Sequence, residues 1–209
     1  HIELEVSSLH LYFDTSMTDK DPSLWLQAQM NPPIQGPPHR FALIKGLKDG
    51  FIQYFADDHA PHTEEEEKYS AFAEFRNQFP GKTNKEIAEI IRGNSRELFE
   101  EICVRNNHSG APWLDTHGLI CCWLMHEHGF RPQDIARVAA YNPGRFVNRF
   151  LSSQFPRRNF GKGFGDIAEG YIGSLTILNI AKTTTVDRKD LKTKVGWSAL
   201  EGHTLPGFV

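Results

Sequence analysis

The stretch Phe55-Ala56-Asp57-Asp58-His59-Ala60-Pro61-His62-Thr63 constrains the fold more than any other part of this chain. It closes an apolar segment, residues 51–56, with the length and composition of a buried strand, and it ends on Thr63, a helix-cap residue type. A carboxylate and imidazoles at the C-terminal end of a strand lie where a β/α barrel places its catalytic groups. There Asp58 can bind a hard divalent ion through oxygen and shuttle a proton. His62, beyond the Pro61 kink, can donate a hydrogen bond to an anionic ligand. An ordinary strand-to-helix turn with an aspartate cap accounts for the same residues equally well.

A second β-like segment, residues 2–7, opens the chain, and His10 follows just past its end. A lone histidine there is more often a satisfied core or loop residue than a ligand. Between the two segments runs Asn31-Pro32-Pro33-Ile34-Gln35-Gly36-Pro37-Pro38, followed by an apolar helix-like stretch, 41–47. The Asn31 amide both donates and accepts, as recognition of a ureide or imide edge requires. A turn-opening Asn before proline is the plainer alternative.

From Thr63 onward the periodicity is helical. Thr63 with Glu66 and Thr83 with Glu86 have capping-box spacing, and the acid run 64–67 suits a solvated helix start. Ile87, Ile90 and Ile91, then Leu98 and Ile102, recur at the spacing of helices that cover a core. Further helices are expected over 118–128, 132–141 and 142–150. After Ser152 the chain is Gly-rich, with short β-like pieces at 173–179 and near the C-terminus and a short helix within 187–194. His126-Glu127-His128 imitates a metal pair, but residues two apart on a helix diverge, so it is expected to be an exposed helix end. Gly161-Lys162-Gly163-Phe164-Gly165 lacks the context of a dinucleotide loop and is expected to be a hinge.

Composition narrows the function classes. With 39% apolar residues and 11% aromatics in 209, the chain can bury a core. Its 23 Lys+Arg against 26 Asp+Glu provide no basic field for nucleic acid. The longest apolar run, Leu119 to Met125, is far short of the roughly 20 residues of a membrane span. Cys103, Cys121 and Cys122 have no metal-type spacing and are expected to be buried thiols in a cytoplasmic protein. The sequence begins at His1, without Met, directly before a strand, and looks cut from something longer.

These segments, in this order, resemble the second half of the dihydroorotases of the cyclic amidohydrolase superfamily. Glu5-Val6-Ser7-Ser8-Leu9-His10-Leu11 is similar to the family's E-V-[ST]-P-[HQ]-H-L, with Ser8 and Leu9 as departures. Met30-Asn31-Pro32-Pro33-Ile34 resembles M-N-P-P-[LI], with Gln35 where Arg is usual. Asp57-Asp58-His59-Ala60-Pro61-His62-Thr63 resembles T-D-H-A-P-H-T, with Asp57 in place of Thr. Ser109-Gly110-Ala111-Pro112-Trp113-Leu114-Asp115-Thr116 is similar to S-G-x-P-G-L-E-T, with Trp113 in place of Gly. The stretches from Gly165 to Leu175 and from Gly196 to Gly202 resemble the closing β segment, with Ser174 and Ala199 where Asp and Pro are usual.

The resemblance implies an α/β fold: the C-terminal part of a metal-dependent hydrolase (β/α)8 TIM barrel over 1–152, and the β-rich segment of a composite β domain over 153–209. It implies a zinc-dependent, reversible hydrolysis of dihydroorotate to N-carbamoyl-L-aspartate in pyrimidine biosynthesis. His10 and Asp58 would be metal ligands, Asp58 also the catalytic proton shuttle, and Asn31 and His62 the substrate contacts. It further implies a binuclear zinc centre whose other ligands come from earlier strands. The partners would be the N-terminal half of the same protein and further copies in a homo-oligomer, and the chain alone would be inactive. The alternatives are a non-catalytic homologue or structural partner, favoured by Leu9, Gln35, Trp113 and Ser174, or a sibling hydrolase acting on dihydropyrimidine, hydantoin or allantoin.

Overall fold

A computed structural model of the chain describes residues 2–105 and 108–209. Strand β1 (Glu5–Ser7) lies parallel to β2 (Tyr54–Ala56), with Glu5 opposite Tyr54, Val6 opposite Phe55 and Ser7 opposite Ala56. The middle pair, Val6 and Phe55, points into the core, while the neighbours on either side are partly exposed, as the period of two along a strand requires.

The crossover between them is helical. Helix α1 (Ser8–Tyr12) starts directly from β1, with the Ser7 hydroxyl accepting the His10 N–H. Asp14 caps α2 (Thr15–Thr18), and Asp21 caps α3 (Pro22–Gln27) through the N–H groups of Ser23 and Leu24. After the proline loop comes α4 (Pro37–Lys48), opened by prolines in its first turn, where their missing N–H costs nothing. This is a βαβ unit, and it puts the C-terminal ends of both strands on one side.

Beyond β2, α5 (Asn84–Asn94) carries the reciprocal Thr83–Glu86 capping box that its spacing predicts, and α6 (Arg96–Arg105) packs on it. Helix α7 (His117–His128) ends on Gly129 at φ 63, the left-handed cap that glycine adopts without strain. Helices α8 (Pro132–Ala136), α9 (Asn142–Asn148) and α10 (Leu151–Gln154) follow, and residues 137–141 continue α8 as a widened turn, so the span expected over 132–141 is helical to its end and runs on into α9. A backbone bridge between His59 and Ala111 continues the parallel arrangement next to β2. Among the described residues this sheet has two strands extended by the one bridge, and no closed barrel is formed.

Two apolar clusters hold the chain together. One joins the strands, α4 and α7 to the C-terminal segment through Leu9, Phe13, Phe55, Trp113, Leu124 and Trp197; the other joins α3, α5 and α6 through Leu26, Phe72, Ile87, Phe99 and Ile102. Burial of Ile87 and Ile91 follows the expected stripe, but Leu98 is 39% exposed and Phe99 takes the inward position instead. Cys103, Cys121 and Cys122 are all buried, as expected.

The C-terminal region departs from expectation in one respect. Residues 173–179 form no strand: Leu175 and Ile177 are largely exposed, and only Asn179 exchanges backbone hydrogen bonds, with Phe208. The antiparallel pair is instead β3 (Thr183–Thr185) with β4 (Thr204–Pro206). A hydrophobic pattern makes a strand only where a partner edge meets it. Among the described residues no helix is long and apolar enough to cross a membrane.

Candidate active site

Because β1 and β2 are parallel and in register at Ser7 and Ala56, the residues just after them emerge side by side. His10 lies three residues past Ser7 and Asp58 two past Ala56, so the two expected metal ligands share the C-terminal end of the sheet. Asp57 shapes the second loop by accepting the His59 N–H at 2.9 Å in an Asx turn. Asp58 then sits at φ 53, a left-handed conformation that Asp tolerates better than most residues. Its side chain is exposed and accepts no hydrogen bond from the described residues, which leaves its oxygens available.

His10 is more occupied. A carbonyl oxygen only accepts, so its Nε2 donates to Pro32 O at 2.8 Å, and its Nδ1 faces the Ser7 hydroxyl at 2.7 Å. A metal ion on His10 must therefore displace one of these bonds, and the rotatable Ser7 hydroxyl is the easier to turn aside. The same Pro32 bond ties His10 to the Asn31 loop. Asn31 itself is exposed, and Gln35, where the resemblance expects Arg, folds back onto Pro33 O at 3.1 Å.

His62 is half-buried and braced from three sides. Its Nε2 donates to Ser109 O at 3.0 Å, its Nδ1 lies 3.3 Å from Glu67 Oε1, and its backbone carbonyl accepts the Trp197 indole N–H at 2.8 Å. Glu67, not the expected Glu66, closes the cap on Thr63: its Oε2 accepts both the Thr63 N–H and hydroxyl, because residues 64–68 form a wider turn that brings the fifth residue round. The Thr63 backbone N–H, with help from the Thr63 hydroxyl, holds the Glu67 carboxyl down at about 2.

The acid run is also less solvated than expected. Glu64 pairs with Lys85 and Arg188, and Glu65 accepts from the first N–H groups of α5, so these side chains fasten neighbouring elements. Lys68, fully buried, donates to His108 O at 2.7 Å, and burial lowers its ammonium to about 8.

Three residues shape the site without having been singled out by the sequence. His59 Nδ1 accepts the N–H groups of Trp113 and Leu114, stitching the Asp58 loop to the next segment. His117 stacks on Phe55 at 4.4 Å and meets Ser8 Oγ at 3.2 Å; burial pulls its imidazole below the usual range, against the pull of Asp57. His108 lies beside His62, with ring centroids 5.5 Å apart. Only the proximity of His59 and His62 to Asp58 in sequence hinted at any of this. Of the decoys, His126 is exposed against Glu127, and His128 rests edge-on to Trp123.

Trp113, in the position where the resemblance expects glycine, is fully buried. It packs edge-to-face on Phe13 at 5.9 Å, and its Nε1 has no hydrogen-bond partner among the described residues. The indole occupies the core beneath the loop and so fills space at the strand ends.

No family model matches the chain. Over 66 residues it is 50% identical to a dihydroorotase of Bacillus subtilis, a match covering 31% of this chain and 14% of that protein. It is 23% identical over 198 residues to a dihydroorotase of Methanosarcina acetivorans, covering 95% of this chain and 32% of that one. Among solved structures, an L-hydantoinase (dihydropyrimidinase) from Arthrobacter aurescens superposes with a TM-score of 0.66 at 16% identity, over 98% of this chain and 36% of that chain. A dihydropyrimidinase from Brevibacillus agri gives 0.66 at 16%, over 99% and 36%. The chain thus spans about a third of the length of the proteins it matches almost end to end.

Proposed function

From a chain that resembles the dihydroorotases of the cyclic amidohydrolase superfamily, we propose a part of a metal-dependent enzyme that reversibly hydrolyses dihydroorotate to N-carbamoyl-L-aspartate. The observation that carries this reading is the shared exit of His10 and Asp58 from two parallel, in-register strands, with His62 following on the same loop. A nitrogen and an oxygen donor so placed fit a zinc ion, whose remaining ligands would come from the part of the protein outside this chain. Zinc there would activate water and polarise the ring carbonyl.

The residues of this chain would do the rest. Asp58, unburdened by other hydrogen bonds, takes a proton from the attacking water and passes it to the departing amide nitrogen. His62 turns its Nε2–H from Ser109 O to the substrate carboxylate, and Asn31 meets the ring amide edge from the loop that also anchors His10. Homo-oligomers of the whole protein fit the same resemblance.

A second reading, a non-catalytic homologue, is favoured by one observation: Trp113 fills space where the resemblance expects a bare backbone. The experiment is a ring-opening assay of the full-length protein on dihydroorotate, dihydrouracil and hydantoin, with zinc content measured on the same sample. Turnover of dihydroorotate that falls on the order of 100-fold or more in Asp58→Asn supports the enzyme. A folded, full-length protein with neither zinc nor turnover overturns it, and turnover of hydantoin or dihydrouracil alone moves the assignment to a sibling hydrolase.

A further inference from the structure

The hydrogen bonding of His62 leaves a charge unaccounted for. Its Nε2–H is committed to Ser109 O, so its Nδ1 points a lone pair at Glu67 Oε1, another acceptor, only 3.3 Å away. Two acceptors face one another at that distance only with a positive charge between them, either a second imidazole proton or a metal ion.

His108 distinguishes the two. A hydrogen bond between His62 and Glu67 needs no third donor, yet a ring nitrogen of His108 lies within 4.8 Å of both the His62 and the Glu67 ligand atoms, and all three residues are half-buried. We propose that His62, Glu67 and His108 form a binding site for a divalent transition ion of the zinc type, distinct from the metal position assigned to His10 and Asp58.

The chemistry of the donor set agrees. Zinc–nitrogen and zinc–carboxylate bonds of about 2.0–2.2 Å in tetrahedral array put neighbouring ligand atoms about 3.4 Å apart. The His62–Glu67 separation of 3.3 Å already has this value, and a ring nitrogen of His108 stands within 4.8 Å of both ligand atoms. The outer contacts are also those of a metal site. Ser109 O takes the N–H opposite the ligating nitrogen and so fixes the tautomer; Thr63 holds Glu67 Oε2 and aims Oε1; Lys68 holds the His108 carbonyl. An ion here would clamp the loop after β2 to the turn at 64–68 and to the segment at 108–109, and would act on the proposed reaction only by positioning His62.

The test is metal binding, not turnover. The full 209-residue chain, stripped with chelator, is titrated with Co2+ by absorption and with Zn2+ by calorimetry. The expected result is intense four-coordinate Co2+ bands at a single equivalent, competed away by Zn2+. Binding is expected to weaken by at least the roughly 10–100-fold that loss of even an outer partner costs in His108→Ala and Glu67→Gln. It should persist in the double variant His10→Ala, Asp58→Asn. Should a variant fail to fold, imidazole nitrogen NMR of the unmodified chain gives the same answer, through Zn2+-dependent shifts of His62 and His108. Absent bands, unchanged affinity in His108→Ala, or binding that vanishes with His10 and Asp58 instead would overturn the site while leaving the proposed reaction untouched.

Discussion

His59 Nδ1 accepts the backbone N–H of Trp113 at 3.1 Å, across 54 residues of sequence. Through this bond the loop that presents Asp58 rests on a segment anchored by Trp113, one of the two fully buried tryptophans of the core. Trp113→Ala is expected to cost about 3–5 kcal/mol of stability, since the cavity beside Phe13 cannot collapse freely. Trp113→Phe should cost much less, because it keeps most of the volume and removes an indole N–H that has no partner among the described residues. Urea unfolding of both variants measures the difference; equal losses would mean that the indole is not packed as described.

Gly110 is expected to be irreplaceable. At φ 122 it occupies a conformation that L side chains rarely adopt, and a Cβ there would stand 2.6 Å from Ala60 O. Gly110→Ala should therefore break the bridge between His59 and Ala111 and cost about 1–3 kcal/mol in backbone strain alone. Amide hydrogen exchange should show faster exchange at Ala60, whose N–H is donated to Ala111 O, with α5 unaffected.

Stability should depend on Glu64 at acid pH. Burial alone would raise its carboxyl, but hydrogen bonds from Arg188 and Lys85 outweigh that and hold it below the usual 4.5. The unfolded chain thus takes up this proton first, so the contribution is fully present above about pH 4.5 and is lost as pH falls through the lower folded value. Glu64→Gln should lose about 2 kcal/mol at neutral pH and flatten the acid limb of the stability profile. Denaturant midpoints across that limb provide the check: parallel profiles for the two proteins would refute it.

The thiols should be inert in the folded state. Burial pushes Cys103 and Cys121 up to about 12 and raises Cys122 as well, so almost no thiolate exists near neutral pH. Ellman's reagent is expected to react with all three only after denaturant is added. Prompt reaction of any of them in buffer would show that its pocket opens.

Local spacing made several features legible. The Thr83–Glu86 cap, the Ile87 and Ile91 stripe, the exposed end at His126 and the polar exits from both strands all depend on contacts within one or two turns, where chain geometry leaves little choice. The Thr63 cap shows the limit: the spacing pointed to Glu66, but a widened turn delivered Glu67, and with it the partner of His62.

The sequence by itself determined where the chemistry-bearing residues stand along the chain and which strand ends carry them. Only the tertiary structure decided that Phe99 rather than Leu98 turns inward, that residues 183–185 rather than 173–179 find a strand partner, that Trp113 is swallowed by the core, and that His108 arrives beside His62 and Glu67. The physical reason is the same in each case. These outcomes depend on which surfaces meet across tens of residues, and there the closure of loops and the filling of volume outweigh local preference.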